Sequence, residues 1–286
     1  MKVFVTGSKG MLGRAVVRTA KSLRLGVYEW DVDDGDLSQE KTANWAVDGF
    51  HPRVVINCAG FTDVEACEDP ARQAEMTAGN VLVPRFLARA CAQAGSRLIH
   101  ISSDYVFDGE KDAPYSEDDP VNPLSRYGQS KLDGEREVQK ELPGTYLIFR
   151  TAWLYGRHGK NFVDTIRKKI LAGEPLKVVD DQVGCPTFAE DLAQAILRCA
   201  RAKCGGIMHA VNAGHTTWFG LAKKIAELSG APDAVIEPCP SDEYPTKARR
   251  PRRTVLSCEV LARTTGFNFR PWPEALESYL AGPKKF

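Results

Sequence analysis

The chain contains no apolar stretch approaching the ~20 residues that cross a bilayer, and neither charge is in excess. Its 38 Lys and Arg stand against 37 Asp and Glu, a net charge of +1, so no overall field favours nucleic acid or an anionic membrane. No Cys-x-x-Cys pair occurs among the 8 cysteines, Cys58, Cys67, Cys91, Cys185, Cys199, Cys204, Cys239 and Cys258. In a chain of 286 residues they read as reduced, mostly buried small hydrophobes and not as a disulfide framework. The histidines, His51, His100, His158, His209 and His215, are dispersed as well. The clustered ligands of a zinc site are therefore missing, and no metal is expected. Repeats and low-complexity tracts are absent. A first strand starting at Lys2 leaves no room for a secretory signal, and a soluble, cytoplasmic protein is the expectation.

What is present is an ordinary apolar content of 43%, laid out in alternating patterns. Short apolar runs at 3–5, 27–30, 53–58, 97–102 and 146–150 read as strands, and helical periodicity over 11–23, 38–47, 71–94 and 125–142 lies between them. The run at 53–58 is continuous in apolar character, as a strand buried on both faces should be. This alternation predicts an α/β fold, a doubly wound parallel sheet of the Rossmann type. Beyond Ala152 the pattern loosens. Helices near 161–171 and 189–202 and strands near 176–179 and 206–212 precede a Pro-, Asp- and Arg-rich segment over 231–251 and two short helical patterns. We read 1–154 plus 185–212 as a dinucleotide-binding domain, and 155–184 plus 213–286 as a smaller α/β substrate-binding lobe over the carboxyl edge of the sheet.

The link from the first strand to the first helix is Thr6-Gly7-Ser8-Lys9-Gly10-Met11-Leu12-Gly13. Gly7 permits the tight turn, Gly10 lets backbone approach a pyrophosphate, and Gly13 allows close helix packing. The helix amino terminus then offers free N–H groups and a positive dipole end to the phosphates. The spacing is G-x-x-G-x-x-G, and its place at the first βα turn carries the assignment to a dinucleotide. Two residues pull the choice of dinucleotide apart. Asp31, just after the second strand, suits a ribose 2′-hydroxyl and NAD, whereas Lys9, inside the loop, suits a 2′-phosphate and NADP. Tolerance of both is expected, with NADPH ahead of NADH, and Asp36-Leu37 would flank the adenine.

Tyr127 and Lys131 form Tyr-Gly-Gln-Ser-Lys on a helix for which Ser125 is a good N-cap. Residues at this spacing share a helix face. An unperturbed phenol titrates at about 10, and an ammonium within about 4–6 Å favours the phenolate and lowers that value. Such a pair is what proton transfer to or from a carbonyl oxygen requires.

These pieces occur in order with Asn57-Cys58-Ala59-Gly60, Ser102-Ser103-Asp104-Tyr105-Val106-Phe107-Asp108-Gly109, Arg150-Thr151-Ala152-Trp153-Leu154-Tyr155-Gly156, Asp181-Gln182-Val183-Gly184-Cys185-Pro186-Thr187 and Arg250-Pro251. Together they resemble the dTDP-4-dehydrorhamnose reductase family of extended short-chain dehydrogenase/reductases over nearly the whole chain. The resemblance implies an oxidoreductase of polysaccharide biosynthesis. It would move a hydride from NAD(P)H to the 4-keto group of a dTDP-linked 6-deoxy-L-hexulose, giving dTDP-L-rhamnose. It makes Ser103, Tyr127 and Lys131 the catalytic set: Ser103 bonds the carbonyl, Tyr127 donates the proton, and Lys131 holds the nicotinamide ribose while acidifying Tyr127. Gly60, Phe61, Thr62 and Ser102 would line the cofactor with Gly7, Lys9, Gly10, Met11, Leu12 and Gly13. Ser103, Asp104, Tyr105, Trp153 and Arg250 would contact the sugar nucleotide, and Asn80 would support a proton-relay water.

Two departures accompany the resemblance. Ala15 stands where some relatives place an acidic residue serving a metal at a dimer contact, so that metal is not expected although Glu190 is present. Cys185 replaces a commoner small or polar residue. The resemblance leaves room for a homodimer. A dehydratase of the same fold would carry Asp-Glu after its hydroxyl residue, whereas here Tyr105 follows Asp104, which disfavours elimination. Two alternatives stay open: a reductase of another nucleotide-linked 4-keto-deoxysugar, and a non-catalytic NADP-binding regulatory subunit resembling that of methionine adenosyltransferase. Arg249, Arg250, Arg252 and Arg253 bracket Pro251, and suit either a diphosphate, which guanidinium pairs bidentately, or a solvated loop.

Overall fold

The computed structural model describes residues 1–282. In chain order its first half runs β1 (Lys2–Thr6), α1 (Met11–Ser22), β2 (Gly26–Trp30), α2 (Glu40–Phe50), β3 (Val54–Asn57), α3 (Gln73–Thr77), α4 (Val83–Ala94), β4 (Arg97–Ser103), α5 (Arg126–Glu141) and β5 (Tyr146–Thr151). The second half adds β6 (Leu154–Tyr155), α6 (Phe162–Leu171), β7 (Leu176–Val179), β8 (Val183–Gly184), β9 (Thr187–Phe188), α7 (Ala189–Ala202), β10 (Gly206–His209), β11 (Thr216–Thr217), α8 (Trp218–Leu228), β12 (Ile236–Cys239), α9 (Glu259–Thr265) and α10 (Trp272–Leu280). Among the described residues no helix is long and apolar enough to cross a membrane.

Six strands form one parallel sheet in the order β10-β5-β4-β3-β1-β2. Its inner strands are built mainly of buried apolar residues because both faces are covered: α1, α7 and α9 pack on one face, and α2, α4 and α5 on the other. Strand order reverses between β1 and β3, and the crevice beyond their carboxyl ends is where such sheets bind ligands. There the two turns touch. Gly7 has a φ of 62°, and a Cβ on it would lie 2.7 Å from the Ala59 nitrogen. A Cβ on Gly13 would lie 2.0 Å from the Gly7 carbonyl oxygen.

The lobe has its own core, joining α6, β7, α8, β12 and α10 through Val163, Leu176, Leu221, Ile236 and Leu276. Packing crosses the boundaries drawn from sequence: Leu261 and Phe269 belong to the core of the sheet, and Phe188 to that of the lobe. Periodicity also overlooked α8 and β12. Pro238 hid β12, which among the described residues pairs with β7 alone, an arrangement in which proline is tolerated. α8 carries legible signals, an N-cap at Thr217 whose Oγ1 accepts from the Gly220 N–H at 2.9 Å and a buried face of Leu221, Ala222, Ile225 and Ala226.

The helix expected over 71–94 is interrupted. One π-helical turn, Ala78–Leu82, separates α3 from α4 just ahead of Pro84. Proline has no N–H to return to the carbonyl four residues earlier, here that of Asn80, and the ladder widens there. α5 docks against this turn. A Cβ on Gly134 would lie 2.2 Å from the Asn80 carbonyl oxygen, and one on Gly128 would lie 2.2 Å from the Tyr105 carbonyl oxygen. Ser125 caps the helix as expected, its Oγ accepting from the Gly128 N–H at 3.2 Å. The rotation of α5, and with it the aim of Tyr127 and Lys131, is set by these contacts.

Gly13→Ala tests the crowding at the first turn. Helix propensity alone favours the substitution by about 1 kcal/mol, but overpacking costs about 1–3 kcal/mol. Urea unfolding is expected to show a net loss, and a variant as stable as the parent contradicts the packing described.

Candidate active site

β4 ends at Ser103, and the chain turns through Asp104–Val106, with the Ser103 Oγ accepting from the Tyr105 N–H at 3.2 Å. α5 brings Tyr127 to the same place. The Tyr105 and Tyr127 rings meet edge to face with centroids 5.6 Å apart, and the Ser103 hydroxyl lies close enough to the Tyr127 phenol to work against the effect of burial on its pKa. Lys131 is buried, and its Nζ donates to the Ile101 carbonyl at 2.7 Å. Ser103, Tyr127 and Lys131 thus meet at the carboxyl end of β4.

The acidified phenol expected from the spacing is not what forms. Burial pushes the Tyr127 pKa up, the Ser103 hydroxyl works the other way, and Asp104 and Tyr105 add to the rise. Lys131 is itself pushed down to about 8 by burial, against the field of Glu135. At neutral pH the phenol keeps its proton, the form a donor needs.

Asp104 is also corrected. Expected on the sugar, it is 2% exposed. Its Oδ1 accepts from the Ser103 Oγ at 2.9 Å and its Oδ2 from the Thr254 Oγ1 at 2.5 Å. Both oxygens are spent inside the protein, and burial raises the carboxyl to about 6. Ser102 turns inward too, its hydroxyl donating to Glu135 Oε1, so its side chain does not face the cofactor crevice. Glu135 is fully buried against Arg150, which donates from Nε at 3.0 Å and from Nη2 at 2.7 Å. Asn80 is not free to support a water. Its Oδ1 accepts from the Phe61 N–H, and its Nδ2 donates to the Phe61 carbonyl and the Ser130 Oγ, each at 2.9 Å. It clamps the turn after β3 instead.

The glycine loop fits a dinucleotide. Gly10 is the N-cap of α1 with no side-chain cap and no acidic residue in the first turn, which leaves N–H groups for a pyrophosphate. Asp31 ties the loop to the end of β2, its Oδ2 accepting from the Lys9 N–H at 2.7 Å and its Oδ1 from the Val32 N–H at 2.9 Å. The Lys9 ammonium meets Asp33 at the surface, 2.7 Å away. Met11 lies against Gly156, and Leu12 is a core residue. Leu37 belongs to the core under α2, and Asp36 caps its own turn by accepting from the Ser38 N–H at 2.9 Å. Leu37 is closed off from an adenine, whereas Asp36 is exposed. On the far side Gly60 and Thr62 are exposed, and Arg72 stacks over the Phe61 ring at 5.1 Å.

Facing this crevice, Trp153 adopts a φ of 43°, strained for a tryptophan. Its ring stacks on Trp218 with centroids 3.5 Å apart, over Gly184, where a Cβ would lie 2.4 Å from the indole. Trp218 Nε1 donates to Gln182 Oε1 at 3.2 Å. A cavity of about 460 Å³ opens beside them, lined by Phe162, Lys169, Gln182, Trp218, Tyr244 and Arg250 among others. Of the four arginines around Pro251, Arg250 turns inward, donating to Tyr105 Oη at 3.3 Å and Glu65 Oε1 at 2.9 Å. Arg253 donates to the Asp112 carbonyl at 2.8 Å. Sequence reasoning missed Glu65, Trp218, Gln182 and Thr254. Gln182 lies inside the Asp181–Thr187 motif, Thr254 directly follows Arg253, Trp218 opens the overlooked α8, and nothing local marks Glu65. Glu190 pairs with Arg18 and Arg157, and among the described residues no three His, Cys, Asp or Glu gather as metal ligands.

Residues 1–284 match the family described as RmlD substrate binding domain. The chain belongs to that family. It is similar to a crystallised dTDP-4-dehydrorhamnose reductase from Clostridium acetobutylicum, 40% identical with a TM-score of 0.94 over 98% of this chain and 99% of that one. A dTDP-4-dehydrorhamnose reductase from Bacillus anthracis in complex with NADP is 30% identical with a TM-score of 0.93 over 99% of each chain. A dTDP-4-keto-6-deoxy-D-glucose reductase from Streptomyces niveus is 38% identical over 95% of this chain and 94% of its own.

The buried Glu135–Arg150 pair beneath the site yields a stability prediction. Glu135→Leu alone leaves a buried guanidinium unpaired and is expected to cost about 3–5 kcal/mol, most of which Glu135→Leu with Arg150→Met restores. Urea unfolding of the two variants checks this, and equal stabilities would contradict it.

Proposed function

We propose that the protein reduces the 4-keto group of dTDP-4-dehydrorhamnose to give dTDP-L-rhamnose, with NADPH as reductant. One observation carries the reading: a hydroxyl, a protonated phenol and a buried ammonium, on Ser103, Tyr127 and Lys131, converge beside a glycine loop at the switch point of a parallel sheet. When bound, the nicotinamide supplies the hydride. As charge grows on the substrate oxygen, Tyr127 Oη gives up its proton, since an alkoxide is the stronger base. Ser103 stabilises the same oxygen as an oxyanion donor does. Lys131, with one ammonium hydrogen on the Ile101 carbonyl, would hold the nicotinamide ribose with its others. Lys9, whose partner Asp33 is a surface ion pair of little worth, supplies a cation for a 2′-phosphate, which supports NADPH over NADH.

The smaller lobe holds the sugar nucleotide. Trp153 and Trp218 offer an aromatic wall, and Arg250 is the guanidinium placed for the diphosphate. The Streptomyces niveus relative favours a second reading, reduction of dTDP-4-keto-6-deoxy-D-glucose. Incubation of the purified protein with NADPH and each 4-keto sugar nucleotide, followed by NADPH absorbance and by NMR of the product, separates the two. No NADPH loss with either sugar would remove the reductase reading.

Two outcomes are expected beyond that assay. Tyr127→Phe should lower kcat by at least about 10²-fold, the usual worth of a general acid, with NADPH affinity nearly unchanged. Lys131 carries its charge below about pH 8 and loses it above. NADPH affinity, read by fluorescence titration, should therefore weaken as pH rises through about 8, and a flat profile would speak against a role for the ammonium.

A further inference from the structure

Glu65 has no part in the steps above, yet both its oxygens are taken by one segment of the lobe. Oε1 accepts from Arg250 Nη2 at 2.9 Å and Oε2 from the Lys247 N–H at 2.7 Å. Burial works to raise its pKa, but these bonds outweigh burial and hold the carboxyl below its ordinary value. It is therefore ionised at neutral pH. Glu65 stands in the turn after β3, and the same turn reaches the catalytic helix: Glu68 Oε1 accepts from the Arg126 N–H, at the start of α5, at 2.8 Å.

The segment it holds, 241–250, forms part of one wall of the cavity of about 460 Å³, through Ser241, Tyr244, Thr246 and Arg250. Its first residue is anchored inside the lobe, where Asp181 accepts from the Ser241 N–H at 3.0 Å and from the Ser241 Oγ at 2.8 Å. From Asp242 to Lys247 the chain is exposed. Glu65 fixes the far end of this wall, and fixes it to the sheet domain. That end carries Arg250, whose Nη1 donates to Tyr105 Oη at 3.3 Å, and the Tyr105 ring in turn meets that of Tyr127. Arg250 Nε is buried and has no partner, an unfavourable state for a donor until an acceptor arrives.

We propose that Glu65 is a positioning residue for the sugar nucleotide, holding Arg250 and the end of the 241–250 wall in the form that receives the diphosphate. The inference rests on the assignment of Arg250 to the diphosphate in the reductase reading. A free arginine side chain samples many rotamers, and ordering one at the moment of binding weakens affinity. Glu65 orders this one beforehand. It holds the backbone of the wall and the guanidinium together, which a lone surface ion pair does not do. An ion pair of this exposure, 25% for Arg250 and 38% for Glu65, contributes little to folding, so its effect is expected in binding. The carboxylate also brings a negative charge toward the phosphates, an opposing effect that solvent and salt screen at a half-buried group.

Calorimetric titration of the NADP⁺-loaded protein with dTDP tests this. Glu65→Ala is expected to weaken dTDP by about 3- to 10-fold, the effect of ordering one long side chain. Glu65→Gln, which keeps one acceptor but no charge, should weaken it by less. Because Glu65 acts through Arg250, its loss should add nothing in the Arg250→Met background, and the double variant should bind dTDP as Arg250→Met does. In turnover, Glu65→Ala should raise KM for the 4-keto sugar nucleotide by the same factor, with kcat and NADPH affinity nearly unchanged. Parent-like or tighter dTDP binding by Glu65→Ala, or tighter binding by Glu65→Gln, overturns the proposal, since the carboxylate would then only oppose the phosphates. An equal loss in the Arg250→Met background overturns it too, because it marks a merely structural role. If Arg250→Met binds dTDP as the parent does, the diphosphate assignment falls and the proposal with it. If dTDP behaves as expected but neither sugar oxidises NADPH, the reductase reading alone falls.

Discussion

The close approach of α5 to the turns after β4 and β3 is the contact on which the site depends. Gly128 lies under the Tyr105 carbonyl and Gly134 under that of Asn80, where a side chain would stand 2.2 Å from oxygen in each case. Pro84 makes the second contact possible, because it cannot return a hydrogen bond to Asn80 and the helix opens into a π turn there. The same turn lets Asn80 hold both backbone groups of Phe61. One docking event therefore aligns three segments: the Ser103 turn, the Phe61 turn, and the helix face bearing Tyr127 and Lys131.

Burial then distributes protons across the cleft. Tyr127 is kept protonated, Lys131 is drawn down to about 8, and Asp104 is lifted to about 6. Groups whose values are driven apart by their surroundings can divide acid and base work between them. Behind them the Ser102–Glu135–Arg150 cluster keeps the neighbouring charges paired. The lobe adds what the sheet lacks, a Trp153–Trp218 wall and Arg250, tethered by Glu65 to the turn after β3.

Much of this was legible from the residues, and the failures share a cause. The glycine loop, the parallel strands and the Tyr127–Lys131 face follow from local pattern, and local pattern is what a sequence displays. Asp104, Ser102 and Asn80 sit at motif positions that suggest ligand contacts, yet each side chain is consumed by a partner distant in sequence: Thr254, Glu135 and Phe61. The phenol was expected to be acidified because spacing reports proximity but not desolvation, and desolvation dominates at Tyr127. Pro238 concealed β12 for a related reason, since a proline forbids a strand only where its missing N–H is needed.

The most direct test of this account is Gly128→Ala, which pushes a methyl group toward the Tyr105 carbonyl and moves α5 away from Ser103 while leaving the loop at Gly10 intact. A displacement of about 1 Å at a reacting centre can cost about 10²-fold in rate. The account predicts a fall of that order in the rate of sugar reduction, with NADPH still bound. A Gly128→Ala protein that reduces the sugar at the parent rate would contradict it.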